Sequence, residues 1–113
     1  MKYLLTVFIL LNSIQTRAAS FYNGSELLEY CEHYLNKTDV GLANACYGYV
    51  AGHHDAEKLF SFESINYYCI PKNISSQELI TVAAEYLRTH PKDLHYSATA
   101  LIFVAFTEAY PCN

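Results

Sequence analysis

The stretch CYGYVAGHHD at residues 46–55 decides how the rest of this 113-residue chain is interpreted. It lies within a helical pattern of apolar residues that starts at Val40. Gly48 and Gly52 fall four positions apart on one face of that helix, where each glycine costs about 1 kcal/mol relative to alanine. We therefore expect another helix to pack directly on this backbone at Gly48 and Gly52. The alternative is a weak helix end.

Apolar residues recur at helical spacing in four segments, and no segment alternates as a strand does over a useful length. Ser75-Ser76-Gln77-Glu78 is a capping box that opens the clearest of these helices. Pro91 ends it, because a proline disfavours helical geometry in the preceding residue. The pattern predicts an all-α bundle of about four main helices, arranged as two antiparallel hairpins. The expected helices cover residues 25–35, 40 to 54 or 57, 76–90 and 93–109.

The first 18 residues have the order of a secretory signal peptide. Lys2 precedes an apolar run from Tyr3 to Leu11, and small residues follow. Cleavage is predicted after Ala18, with Ser20 as the alternative. The run is too short to span a bilayer, which takes about 20 residues, so no membrane span is expected after cleavage. We expect residues 19–113 to form one exported domain. A short N-terminal anchor and a buried strand are the alternatives.

All four cysteines lie in that predicted mature chain. An even number in a small exported domain is typical of two disulfides. If the first two helices form an antiparallel hairpin that turns near Thr38, Cys31 and Cys46 face each other. Cys69 and Cys112 lie at the same end of the second hairpin. The geometry therefore predicts the pairs Cys31–Cys46 and Cys69–Cys112. A zinc site of four thiolates is the alternative, but the close cysteine pairs typical of such sites are missing.

The charge of the mature chain argues against a nucleic-acid partner. Removal of Lys2 and Arg17 leaves five basic and eleven acidic residues, a formal charge of −6. Proteins that bind phosphate backbones carry the opposite sign, in a patch. An acidic exported domain suits a basic partner or solubility alone.

Catalytic chemistry finds little support in this sequence. The run His53-His54-Asp55 is similar to the helix histidine and aspartate of secreted phospholipases, which also need a glycine-rich calcium loop that this chain lacks. No serine stands in a G-x-S-x-G turn, and no cysteine is spare once both disulfides form. No catalytic residue, metal site or cofactor is predicted, so a binding protein is favoured over an enzyme. The histidines lack the spacing of zinc hydrolases; they are His33, His53, His54, His90 and His95.

Several motifs occur in an order that resembles the Rap/Tai immunity proteins of bacterial type VI secretion. They are residues 46–52 (CYGYVAG), 69–71 (CIP), Tyr86-Leu87 followed by His90-Pro91 and Leu94, and Pro111-Cys112. The resemblance implies a small, all-helical, periplasmic protein with disulfides, often a homodimer. Members of that family are inhibitors and not enzymes. They bind a cell-wall amidase of the papain-like cysteine peptidase class and block its active-site cleft, which protects the producing cell and its kin. A small periplasmic chaperone activated by acid is the alternative function.

In such complexes a protruding loop of the immunity protein enters the groove of the enzyme. Here we expect that loop to be the long connection from about Glu57 to Tyr68, because long connections in compact domains are often functional. Its aromatic rings suit strong binding contacts. The alternative is that they fold back and cap the helices. The candidate contact residues are Glu57, Lys58, Phe60, Phe62, Glu63, Tyr67 and Tyr68.

Overall fold

A computed structural model describes residues 20–60 and 67–113, without the side chain of Phe60. The predicted signal peptide lies outside this part of the chain. The described residues form four α-helices, which confirms the expected all-α fold, and none of them is long and apolar enough to cross a bilayer. One 3-10 turn, Pro91–Asp93, lies between the last two helices. The helices are α1 (Gly24–Asn36), α2 (Val40–Phe60), α3 (Ser76–Thr89) and α4 (Ala98–Ala109).

The core takes side chains from one face of every helix. Leu27 of α1 and Val50 of α2 are fully buried against residues of α3 and α4. The buried positions within α3 and α4 recur three, four or seven residues apart, as an amphipathic helix requires. Each large apolar side chain buried in this way contributes about 1.5–3 kcal/mol. The largest such side chains on α3 and α4 are Ile80, Leu87, Ile102 and Phe106.

α1 and α2 form the first hairpin. The chain reverses where Lys37 takes the left-handed conformation, with φ of 57° and ψ of 43°. Asp39 then begins α2, because its side chain accepts a hydrogen bond from the backbone N–H of Leu42 at 3.1 Å. Cys31 and Cys46 form a disulfide between the two helices, with their Cα atoms 4.9 Å apart and both residues fully buried. The pairing is the one that the hairpin geometry predicts.

α3 and α4 form the second hairpin. Ser75 caps α3, since its hydroxyl accepts a hydrogen bond from the backbone N–H of Glu78 at 3.1 Å. Cys69 is bonded to Cys112, as predicted, with a Cα–Cα distance of 5.1 Å. The backbone N–H of Cys69 also donates to the carbonyl of Tyr110 at 2.8 Å. The disulfide and this hydrogen bond hold the chain entering α3 against the end of α4.

α4 begins at Ala98, so the predicted start near Asp93 is wrong. The start of α1 and the residues just before it pair with residues 94–98 instead. The backbone N–H of Gly24 donates to Tyr96 at 3.0 Å, and that of Ala98 donates to Tyr22 at 2.9 Å. The carbonyl of Leu94 accepts from Ser25 at 3.1 Å. In a helix that began near Asp93, the carbonyls of Leu94 and Tyr96 would instead accept from amides one turn further along the chain.

Gly48 and Gly52 do not mediate helix packing within residues 20–60 and 67–113, so that prediction is wrong for this part of the chain. Both are exposed, and a Cβ on either would meet no atom within 4 Å. Each follows a core residue, Cys46 or Val50, by two positions, which places it about 200° around the helix. The close approach occurs at Gly24 instead, where a Cβ would lie 3.0 Å from the Leu94 backbone.

Candidate functional site

The histidines of the opening stretch lie within α2. The helix continues to Phe60, so the predicted end at residue 54 or 57 is wrong. The ring of His53 packs edge-on against core Phe106, with ring centroids 6.1 Å apart. His54, one position on, points about 100° away and lines a surface groove. Burial lowers the pKa of both imidazoles, because desolvation disfavours their charged form.

Neither a metal centre nor a free thiol occurs among the described residues. In residues 20–60 and 67–113 no three His, Cys, Asp or Glu side chains are grouped so as to hold a metal ion. All four cysteines are engaged in disulfides, so none can act as a thiolate nucleophile or as a zinc ligand.

The predicted contact residues lie in different environments. Glu57 and Lys58 belong to the last turn of α2, where Lys58 is exposed and Glu57 has one carboxylate oxygen buried. Leu59, which follows them, is 67% exposed. The Phe60 side chain, Phe62 and Glu63 lie outside the described residues.

Tyr68 is a core residue, so its assignment to the contact surface is wrong. Only 4% of it is exposed, and its ring packs edge-on against Phe106 at 5.6 Å and Phe103 at 6.0 Å. Burial raises the pKa of its hydroxyl, and the negative charge of Glu57 raises it further. The alternative that the aromatic residues fold back holds for Tyr68, because its ring packs against two aromatic rings of α4.

Tyr67 combines an exposed ring with a rigid support. It is 55% exposed, yet its ring meets Phe103 edge-on with centroids 5.4 Å apart. A supported ring of this kind loses little conformational entropy on binding. The two ends of the 57–68 connection are therefore accessible, with Lys58 and Leu59 at one end and Tyr67 at the other.

A groove of about 410 Å³ opens between α2 and the chain that leads into α3. Its apolar side chains include Val50, Ile70 and Ile74. Sequence reasoning missed this groove, because its walls come from residues about 20 positions apart and no local pattern joins them. The polar and aromatic residues that line it are Tyr47, His54, Asp55, Lys58, Lys72 and Ser76.

One family model matches this chain. The model describes the Rap1a immunity proteins and matches residues 23–112, from the N-cap of α1 to the last cysteine. Comparisons with curated proteins and with solved structures give no match.

The match includes all four helices and both disulfides. An immunity protein binds a cognate secreted effector, so family membership favours a binding role over an enzymatic one. The two disulfides indicate export to an oxidising compartment. The four-helix fold, the disulfides and the family match over nearly all of the described residues lead to one assignment: this chain belongs to the Rap1a immunity proteins.

Proposed function

We propose that this chain is a periplasmic immunity protein that inhibits a peptidoglycan amidase delivered by a type VI secretion system. The family match over residues 23–112 carries this proposal. The amidase class of the effector comes from the resemblance of the Cys46–Gly52 and Cys69–Pro71 motifs to the Rap/Tai proteins. Inhibition follows from occlusion of the active-site cleft and needs no catalytic group on the immunity protein.

Periplasmic residence agrees with the disulfides and with the N-terminal sequence. Disulfides persist in the bacterial periplasm and are rare in the cytosol. Residues 1–18 have the pattern of a cleaved signal peptide. An amidase that attacks the cell wall acts in the same compartment, so its inhibitor is needed there.

The ends of the 57–68 connection are the proposed contact surface. Lys58 and Leu59 stand exposed where the chain leaves α2, and Tyr67 stands exposed where it returns. Tyrosine and leucine supply apolar contact area, and tyrosine also supplies a hydroxyl for hydrogen bonding.

Rescue of cells from the toxin tests the proposed function. Each amidase encoded near the gene for this chain is sought as the cognate effector and directed to the periplasm of a test strain. Co-expression of the full chain should restore growth, and a version without residues 1–18 should not. Purified mature chain should also block digestion of peptidoglycan by that amidase. Growth arrest despite correct export, with no binding in solution, would refute the proposal.

A matched pair of tyrosine variants tests the contact surface. Tyr67→Ala should weaken binding of the amidase about tenfold or more, since a central aromatic contact contributes about 2 kcal/mol. Tyr96→Ala is the control, because Tyr96 is 54% exposed but lies in the turn before α4. Equal affinities for the two variants would place the contact surface elsewhere.

The resemblance also implies a homodimer. Light scattering of the mature chain at micromolar concentration should give twice the mass of one chain. A monomer at all accessible concentrations would contradict this part of the proposal.

A further inference from the structure

The groove between α2 and the entry to α3 combines apolar walls with charged side chains. Its apolar walls are built from Val50, Ile70 and Ile74, together with Leu79 and Ile80 of α3. Its volume of about 410 Å³ lies in the range of about 300–1,000 Å³ typical of ligand pockets. The groove therefore has room for more than one apolar side chain.

The charges at the groove oppose the charge of the whole chain. Lys58 and Lys72 both line it, against the single carboxylate of Asp55. These lysines are two of the five basic residues in the acidic mature chain. The pKa of neighbouring His54 is lowered, by burial first and by the charge of Lys58 second, so this ring adds no charge at neutral pH. Two lysines at a concave site on an otherwise acidic chain attract a group of negative charge.

The groove is also continuous with the proposed contact surface. Lys58 belongs both to the groove and to the departing end of the 57–68 connection. Ile70 and Pro71 line the groove directly after the returning end, and the Cys69–Cys112 disulfide fixes their position. An effector bound over the connection would therefore also cover the mouth of the groove.

We propose that this groove receives a protruding segment of the effector in which an apolar side chain stands beside a carboxylate. The apolar side chain enters between α2 and Ile74, and the carboxylate lies toward Lys72 and Lys58. The contact is thus reciprocal: the connection of the immunity protein reaches the effector, and a segment of the effector enters the immunity protein. This inference rests on the proposed function.

Two substitutions at the groove test the inference. Ala51→Phe fills it from the α2 side, and Ala100→Phe places the same ring on an exposed position of α4. Lys72→Glu reverses one charge at the groove, and Lys92→Glu reverses the charge of an exposed lysine in the 3-10 turn. The probe is the neighbouring-gene amidase with its catalytic cysteine replaced. Circular dichroism and the melting temperature check that each variant is folded.

The expected result separates the two kinds of variant. Ala51→Phe should weaken binding about a hundredfold or more by excluding the apolar side chain. Lys72→Glu should weaken it about tenfold, mainly through slower association, and should reduce the dependence on salt. Both controls should stay within about twofold of the wild type. Because Lys72 is exposed, Lys72→Glu should fold normally, and its binding of the amidase tests the inference if Ala51→Phe does not fold.

Other outcomes overturn the inference in distinguishable ways. Wild-type chain that does not bind the amidase would refute the proposed function and the inference together. Wild-type binding that both groove variants leave unchanged would refute the inference alone. If Ala51→Phe disrupts self-association and leaves amidase binding intact, the occupant is a second copy of this chain.

Discussion

Replacement of Gly24 by alanine tests whether the start of α1 is as closely packed as the structure indicates. Gly24 is buried, and a Cβ there would lie 3.0 Å from both the Cα and the carbonyl oxygen of Leu94 and 2.5 Å from a methyl carbon of Leu101. Ordinary carbon contacts lie near 3.5–4.0 Å. The Leu101 methyl can rotate away. The Leu94 backbone is fixed, because it accepts a hydrogen bond from Ser25 at 3.1 Å.

Two effects of opposite sign determine the size of the change. Overpacking of a well-packed core costs about 1–3 kcal/mol. Alanine also reduces the conformational entropy of the unfolded chain, which stabilises the folded state by about 0.4–1 kcal/mol. We expect Gly24→Ala to lower the free energy of unfolding by about 1–2 kcal/mol net. In a domain of this size that corresponds to a fall in Tm of roughly 5–15 °C.

Gly48→Ala is the matched control, because Gly48 is exposed in the middle of α2 and a Cβ there meets nothing within 4 Å. It should raise stability by about 0.5–1 kcal/mol through better helix propensity. Urea unfolding followed by circular dichroism, with disulfides intact, measures both variants. If Gly24→Ala is as stable as the wild type, the close approach of Gly24 to the Leu94 backbone is refuted. A loss of more than about 1 kcal/mol in Gly48→Ala would refute the exposed position of Gly48.

Two further predictions concern pH and reduction. Burial chiefly lowers the pKa of His53, against an opposing backbone contact from Thr99, so the folded state favours the neutral ring. The contribution of the neutral His53 ring to the free energy of unfolding is therefore complete above pH 6.5, the ordinary pKa of histidine, and it declines as the pH falls. His53→Gln should flatten the dependence of the free energy of unfolding on pH between about pH 7 and 5, as measured by chemical denaturation. Mild dithiothreitol should reduce the exposed Cys69–Cys112 disulfide before the buried Cys31–Cys46 disulfide, as seen by alkylation and mass spectrometry. Loss of the 43-residue link should cost about 4 kcal/mol, and the reverse order of reduction would contradict the accessibility argument.

The sequence was most informative where structure depends on neighbouring residues. The capping box at Ser75 located the start of α3, and Pro91 located its end. It was least informative where one segment pairs with a distant one. The β-bridge between Asn23 and Ser97 accompanies a start of α4 at Ala98, five residues after the predicted start at Asp93. No local sequence pattern indicates that bridge.

The candidate site shows the same division. The sequence marked the 57–68 connection through its loss of helical period and its aromatic content. It did not separate exposed Tyr67 from buried Tyr68, because neighbouring side chains in an irregular segment follow no fixed alternation. The groove likewise needs residues from α2 and from the chain entering α3, which only the packed structure brings together.

Three features could therefore be read from the amino-acid sequence: the chain is helical, Cys31 pairs with Cys46 and Cys69 with Cys112, and the motifs are those of an immunity protein. Periodicity, caps and hairpin spacing depend on contacts over a few residues, and these can be read along the chain. The close packing at Gly24 and the exposure of Gly48 emerge only from the packed helices. The face that a glycine presents depends on how whole helices pack around the core, and that packing is a property of the complete fold.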